Sequence, residues 1–275
     1  MSRPRFFVDP VNANDYQVAG TVDVVLDADT LHHATKVLRL REGEHIEIVL
    51  RDLWRTYHAQ IVSLSSEGVC GRILEELTVE SPSLEFDLYW GLAKAAKNDQ
   101  IVRQAVEIGA NGLIPVLFSR CDADRKRPLS SSRMQRLRAI ALSAAMQSHR
   151  SRIPHLADPL PFDEALPRLQ SYEGVIVAWE EHEGGSFADS VDGVIASLHG
   201  PLADRLESRP LGRLAVVVGG EGGLTGAEVD ALTSAGAVIA SMGPTILRVE
   251  TATTVACALV ADRIRSSEAR ISAQG

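Results

Sequence analysis

The chain has 275 residues, 45% of them hydrophobic, with 28 Lys and Arg against 36 Asp and Glu and a formal charge of −8. That is enough to bury one large or two modest cores, and the negative balance excludes a uniformly cationic surface, so any RNA contact must come from a local basic patch on an acidic body. Cys70, Cys121 and Cys257 are odd in number and far apart, which reads as reduced thiols with no metal site; no signal core or membrane-length apolar run appears, so a cytoplasmic location is expected.

Residues 1–76 read as short strands parted by turns. Arg5 to Val8 is a first strand and Val22 to Leu26 a second. Residues 30–38 make a short helix, with Thr30 as cap and Leu31, Ala34, Val37 and Leu38 inward. Beyond the charged turn at 39–44, residues 45–50 and 57–62 pair as a hairpin and 69–74 add a strand, together suggesting a small β-barrel. The polar stretch 77–84 is the linker. From 85 to 275 strands alternate with helices: strands at 86–90, 113–117, 175–178, 215–218 and 238–240, and helices at 97–108, 132–148 and 251–264, with a mixed or helical stretch at 194–206. Ile101, Val102, Ala105 and Ile108 form the inner face of the first of these helices. Such alternation predicts a mostly parallel sheet covered on both faces, an α/β class.

Two glycine turns end strands near the C-terminus. Gly219, Gly220, Glu221, Gly222 and Gly223 follow Val218, and Met242-Gly243-Pro244 leads into Ile246, Leu247, Arg248 and Glu250. The first turn fits neither GxGxxG nor a phosphate loop, and the carboxylate of Glu221 suits a ligand that carries positive charge. Thr225 and Glu228 have the spacing of a capping box at the next helix start. Arg248 and Glu250 admit two readings: a surface ion pair at a helix end, or two side chains projecting into a site between the turns. Lys94 and Lys97, the Arg-rich stretch from Arg120 through 125–127 to Arg133, Arg136 and Arg138, the end of a helix at Gln147 and Arg150, and the turn with His33, Arg39 and Arg41 are local basic groups, each also readable as solvated surface. Residues 180–183 look like a solvent loop more than a metal site.

With Arg5-Phe6-Phe7, His33 with Val37-Leu38-Arg39, Glu107 to Ala110, Ile114-Pro115, Gln147-Ser148 and Arg150, these C-terminal motifs resemble those of the 16S ribosomal RNA uridine-N3 methyltransferases, a SPOUT-class family. The resemblance implies a PUA-like β-barrel, RNA-binding, at 1–76 and, at 85–275, a SPOUT α/β domain with a trefoil knot. It implies S-adenosyl-L-methionine held by the segment after Ala178, the turn Gly219, Gly220, Glu221, Gly222, Gly223, and the turn Met242, Gly243, Ile246, Leu247. It further implies Arg248 and Glu250 as catalytic residues, His33, Arg39, Arg41, Lys94, Lys97, Gln147 and Arg150 as RNA contacts, 16S rRNA or the small ribosomal subunit as partner, and a homodimer with no metal. The chain departs from the family at Gly220, where proline is usual, at Ala144 to Met146, where an acidic residue is usual, at Thr245, where a basic residue is common, and at Arg103-Gln104, where a lysine often occurs. A SPOUT methyltransferase acting on tRNA and a non-catalytic RNA-binding module are the rival expectations; nucleoside mapping separates the first and calorimetry with S-adenosylmethionine the second.

Overall fold

The computed structural model describes residues 3–9, 20–24, 26, 28–51, 55–65, 68–78, 84–121, 129–202 and 212–272. The chain divides into two compact units, one of residues 1–81 with 145–153, the other of 82–144 with 154–275. Most of the expected linker, and the basic stretch at 125–127, lie outside the described residues.

The first unit is built on a five-stranded sheet in the order β1-β3-β4-β5-β2, with β1 Arg5–Val8, β2 Thr21–Val24, β3 His45–Leu50, β4 Arg55–Leu64 and β5 Val69–Leu77. The hairpin expected at 45–62 is the antiparallel β3–β4 pair. Alternate side chains of these strands, among them Phe6, Ile46, Ile48, Tyr57, Ala59 and Ile73, fill the core. The expected single helix at 30–38 is instead α1 (Ala28–His32) running into a π-helical turn (His33–Val37). Leu38 donates its N–H to the carbonyl of His33, an i→i+5 bond that resets the helical phase. Leu31 and Ala34 are therefore buried as expected, whereas Val37 and Leu38 are exposed, 59% and 40%. Thr30 lies within α1 rather than capping it.

The segment 145–153 is tied into this unit by an ionic cluster and by Met146, which packs against its core. Arg5 donates to Glu47 at 2.8 Å and to the His149 carbonyl, while His149 Nδ1 lies 3.2 Å from Glu47. Burial opposes charge on Glu47, but Arg5 and His149 outweigh it and hold its carboxyl below the usual range. The same cluster fixes His149 in the left-handed region at φ 55.

The second unit is an all-parallel sheet, ordered β12-β10-β11-β6-β7-β8, with a short strand β9 also on β7. Its strands are β6 (Leu84–Gly91), β7 (Gly112–Leu117), β8 (His155–Leu156), β9 (Leu160–Pro161), β10 (Gly174–Ala178), β11 (Gly212–Val218) and β12 (Val238–Ala240). Every residue of β6 is buried, and so are Leu214 to Val218 of β11, the pattern of central strands covered on both faces. The helices are α2 (Ala95–Ile108), α3 (Ser131–Gln147), α4 (Phe162–Leu169), α5 (Phe187–Leu202), α6 (Gly226–Ser234) and α7 (Val249–Ser272). The stretch expected to be mixed or helical from 194 is helical, and the helix begins earlier, at Phe187, while Val106 takes the buried place expected of Ile108. In α7, Ala256, Cys257, Val260, Ala261 and Ile264 form a buried stripe at helical spacing, and α7 packs on α2 and α5. Burial pushes the Cys257 thiol up to about 12, so it stays protonated and inert. No helix among the described residues is long and apolar enough to cross a membrane.

Candidate active site

Three neighbouring strands deliver three loops to one place. In β10, β11 and β12 the residues Ala178, Val218 and Ala240 stand level in register, and the chain leaves all three at their carboxyl ends. That edge of an open parallel sheet is where ligand crevices form. The loops enclose a cleft of about 380 Å³ lined by Ala178, Trp179, Glu180, Gly219, Gly220, Glu221, Gly222, Gly223, Met242, Gly243, Thr245, Ile246, Leu247, Arg248 and Lys97, among others. Every residue expected at the cofactor is in this wall.

The first glycine turn is closed by the Gly223 N–H donating to the Gly220 carbonyl at 3.0 Å. Gly223 has φ 70, and a Cβ there would lie 2.1 Å from Glu180 Oε1. A Cβ on Gly91, at the end of β6, would lie 2.2 Å from the Gly220 nitrogen, so two backbones touch where only glycine fits. Gly220 is different: its Cβ would meet nothing nearer than 3.5 Å. Arg120, read from sequence as part of a basic cluster, spends its guanidinium on the Gly222 and Leu224 carbonyls at 3.2 and 3.0 Å. The following helix starts as its spacing predicts. Thr225 N–H donates to Glu228 at 2.8 Å, Glu228 N–H to Thr225 Oγ1 at 3.3 Å, and Ser119 N–H adds a third bond to Glu228 at 2.7 Å. Burial works against the Glu228 charge, but these donors prevail and its pKa is lowered.

The second turn is open. Gly243 adopts φ 109, Ile246 is 86% exposed and Arg248 is exposed at the head of α7. The Arg248 carbonyl accepts the first helical N–H groups of α7, so the helix start itself fixes where its side chain begins. Glu250 does not pair with Arg248, whose guanidinium has no ion-pair partner among the described residues. It faces Lys97 instead, at 3.2 Å, and Lys97 also holds Glu221 at 2.8 Å. Sequence reasoning grouped Lys97 with the RNA contacts; the structure puts it in the cleft wall. Trp179 and Glu180 open the segment after Ala178 that was expected at the cofactor, but neither was singled out, since residues 180–183 have the composition of a solvent loop. Among the described residues no group of His, Cys, Asp and Glu is arranged to hold a metal ion.

The expected RNA contacts fall in both units. His33, Arg39, Arg41 and Gln147 are exposed and Arg150 half-buried in the first; Lys94 is exposed at the N-cap of α2 in the second. Arg133 and Arg136 of the expected basic cluster are both taken up by Asp99, at 2.6 and 3.0 Å, and Arg138 by Asp158 at 3.4 Å.

Residues 79–261 match the RNA methyltransferase domain family, and residues 26–74 match the RNA methyltransferase PUA domain. The chain belongs to this RNA methyltransferase family. Within it, ribosomal RNA small subunit methyltransferase E of Bacillus subtilis is 30% identical over 251 residues, 90% of this chain and 92% of that one. The enzyme of the same description from Mycobacterium tuberculosis is 30% identical over 240 residues, 86% of this chain and 85% of its own. Among solved structures, ribosomal RNA small subunit methyltransferase E of Neisseria gonorrhoeae bound to S-adenosyl methionine superposes with a TM-score of 0.72 at 27% identity, over 94% of this chain and 96% of that one. These family relations span both units, so the PUA-like sheet and the SPOUT-type α/β unit are a single inherited pairing.

Proposed function

We propose that this chain is an S-adenosylmethionine-dependent methyltransferase of small-subunit ribosomal RNA, acting at N3 of a uridine in 16S rRNA. The carrying observation is the cleft where three loops from adjacent parallel strands meet, in a chain whose relatives of near-equal length are small-subunit rRNA methyltransferases. The cleft suits the cofactor: glycines at 219, 222 and 223 bring bare backbone to its wall where a Cβ would clash, and carboxylates of Glu180 and Glu221 face a ligand with positive charge. When bound there, the cofactor supplies an activated methyl group on a sulfonium.

The residues of the chain have three tasks. The turns at 219–223 and 242–247 hold and orient the cofactor, which is worth several kcal/mol when reacting atoms are aligned. Arg248 stabilises the negative charge that develops on the uracil ring as the N3 proton leaves, for it is exposed at the cleft and no carboxylate among the described residues neutralises it. Glu250 helps set the charge of the cleft through Lys97 rather than by orienting Arg248. N3 lies on the Watson–Crick edge, so the target base has to be unpaired and turned outward.

RNA is held by His33, Arg39, Arg41, Gln147 and Arg150 of the PUA-like unit and, separately, by Lys94 of the second unit. The protein is a homodimer in the cytoplasm, as the resemblance to the family implies. Light scattering that returns a monomer mass would remove that part. The whole reading is tested by calorimetry with S-adenosylmethionine and by methyl transfer to small ribosomal subunits; absence of binding would leave a non-catalytic RNA-binding module.

A further inference from the structure

The first unit carries a cavity of its own, of about 240 Å³, formed by residues of β1 and β3 and by the returning segment at 151–153. Arg5 stands level with Glu47 across the parallel β1–β3 pair, and Phe7 with Val49; Asp9 and Arg51 continue the same alternation two residues on. Phe7 and Val49, 4% and 1% exposed, are the apolar part of the lining. Arg51, Ser151 and Arg152 are its polar part, and no carboxylate lines it among the described residues. Arg51 is under-used. Its Nε is buried and donates no hydrogen bond among the described residues. Asp9 Oδ1, its ion-pair partner, is 3.6 Å away, beyond hydrogen-bond reach, on a side chain that is 78% exposed. A guanidinium N–H kept from water without an acceptor is costly, and an oxyanion supplies one. Ser151 brings a half-buried hydroxyl, and Arg152, half-buried with a contact of its own, brings a second guanidinium.

We propose that this cavity is a phosphate subsite of the RNA-binding surface, where Arg51, with Ser151 and Arg152, receives the oxygens of one backbone phosphodiester. The planar fork of a guanidinium matches two phosphate oxygens. The cavity is smaller than the roughly 300–1,000 Å³ that encloses a whole small ligand, so it suits one group projecting from a larger molecule. A base is the poorer occupant, because Phe7, the aromatic side chain of the lining, is buried and offers no open face for stacking. Arg150, read above as an RNA contact, immediately precedes Ser151 in the same segment, so the subsite extends that basic group. A phosphate contact fixes register without reading sequence, and Arg51 therefore positions the RNA rather than selecting it. This deepens the RNA reading above and rests on it.

The test is binding of the full chain to purified 16S rRNA and to an unrelated single-stranded RNA across a range of salt, with a thermal melt of each variant. Arg51→Gln is expected to weaken binding about five- to tenfold at low salt, equally for both RNAs. It should also flatten the slope of log K against log salt by about 0.7, the share of one phosphate on a single strand. Arg51→Lys, which keeps the charge and loses the fork, restores the slope but not all of the affinity. Ser151→Ala weakens binding at constant slope. A slope that Arg51→Gln leaves unchanged overturns the subsite, and so does a loss confined to 16S rRNA, which would mark a base contact. Calorimetry with inorganic phosphate separates the other source of this chemistry: phosphate binding abolished by Arg51→Gln, with the RNA slope unmoved, makes the cavity a free-anion site and overturns its role in RNA binding. If Arg51→Gln does not fold, Arg51→Lys and Ser151→Ala decide, and full affinity in both overturns the subsite. Failure of the unaltered protein to bind either RNA overturns the RNA reading instead.

Discussion

Arg248 and Asp87 show the two ways a charge is used in this chain. Arg248 is exposed at the cleft and unpaired among the described residues, so its replacement costs little stability. Arg248→Ala is expected to bind S-adenosylmethionine near normally while methyl transfer to small subunits is abolished; full turnover by the variant would remove Arg248 from the chemistry. Asp87 is 1% exposed; its Oδ2 is held by Arg213 and by the Tyr172 hydroxyl, which donates at 2.5 Å, while its buried Oδ1 has no hydrogen-bond partner among the described residues. Burial together with Asp87 pushes the Tyr172 pKa far up, so that hydroxyl keeps its proton and goes on donating. Arg213→Met leaves a buried carboxylate without its cation and is expected to cost about 3 kcal/mol. A urea midpoint unchanged from the parent would contradict this. At this scale the sequence was informative where a residue's neighbours are local: Glu221 inside a glycine run already pointed to a cationic ligand. The partnership of Lys97 with Glu221 and Glu250 was not legible, because it joins residues distant in the chain, and the short spacing of Arg248 and Glu250 suggested a pair that the fold does not make.

Among elements, the glycine turn and the helix after it carry the clearest expectations. Gly91→Ala drives a Cβ into the Gly220 backbone and should lower both stability and cofactor affinity, whereas Gly220→Ala meets only ordinary contacts and should stabilise by about 0.5 kcal/mol through the unfolded chain. Equal effects of the two, read by thermal melting and calorimetry, would contradict the packing described. Glu228 makes a pH prediction. Its folded pKa is below the 4.5 of the free group, so its contribution is fully present above about pH 4.5 and is lost as pH falls through the lower folded value. Glu228→Gln should therefore be less stable than the parent by about 1–2 kcal/mol at pH 7, with the gap narrowing in acid. The capping box was legible since four consecutive residues encode it. The π-helical turn was not: apolar spacing at 31, 34, 37 and 38 fits an α-helix, and only the i→i+5 bond from Leu38 reveals that the phase has slipped.

For the whole molecule, the acidic balance requires that RNA affinity come from a few local cations. Binding to small-subunit RNA should weaken linearly in log–log terms as salt rises, by about 0.7 per phosphate neutralised on a single strand. Insensitivity to salt would exclude the basic groups named at His33, Arg39, Arg41, Lys94 and Arg150. The division into a β-rich first unit and a parallel α/β second unit was legible from strand alternation giving way to strand–helix alternation. The return of residues 145–153 to the first unit was not, as its cause is a long-range cluster of Arg5, Glu47 and His149. Threading of a knot leaves no local periodicity either, and only family resemblance suggests it.

The most direct measurement is methyl transfer from labelled S-adenosylmethionine to purified small ribosomal subunits and to tRNA, followed by nucleoside mapping. The expected result is one methyl group at N3 of a uridine in small-subunit rRNA, none in tRNA, and none anywhere with Arg248→Ala. Label in tRNA, or at a different atom, or no label with a protein that binds the cofactor, would contradict it.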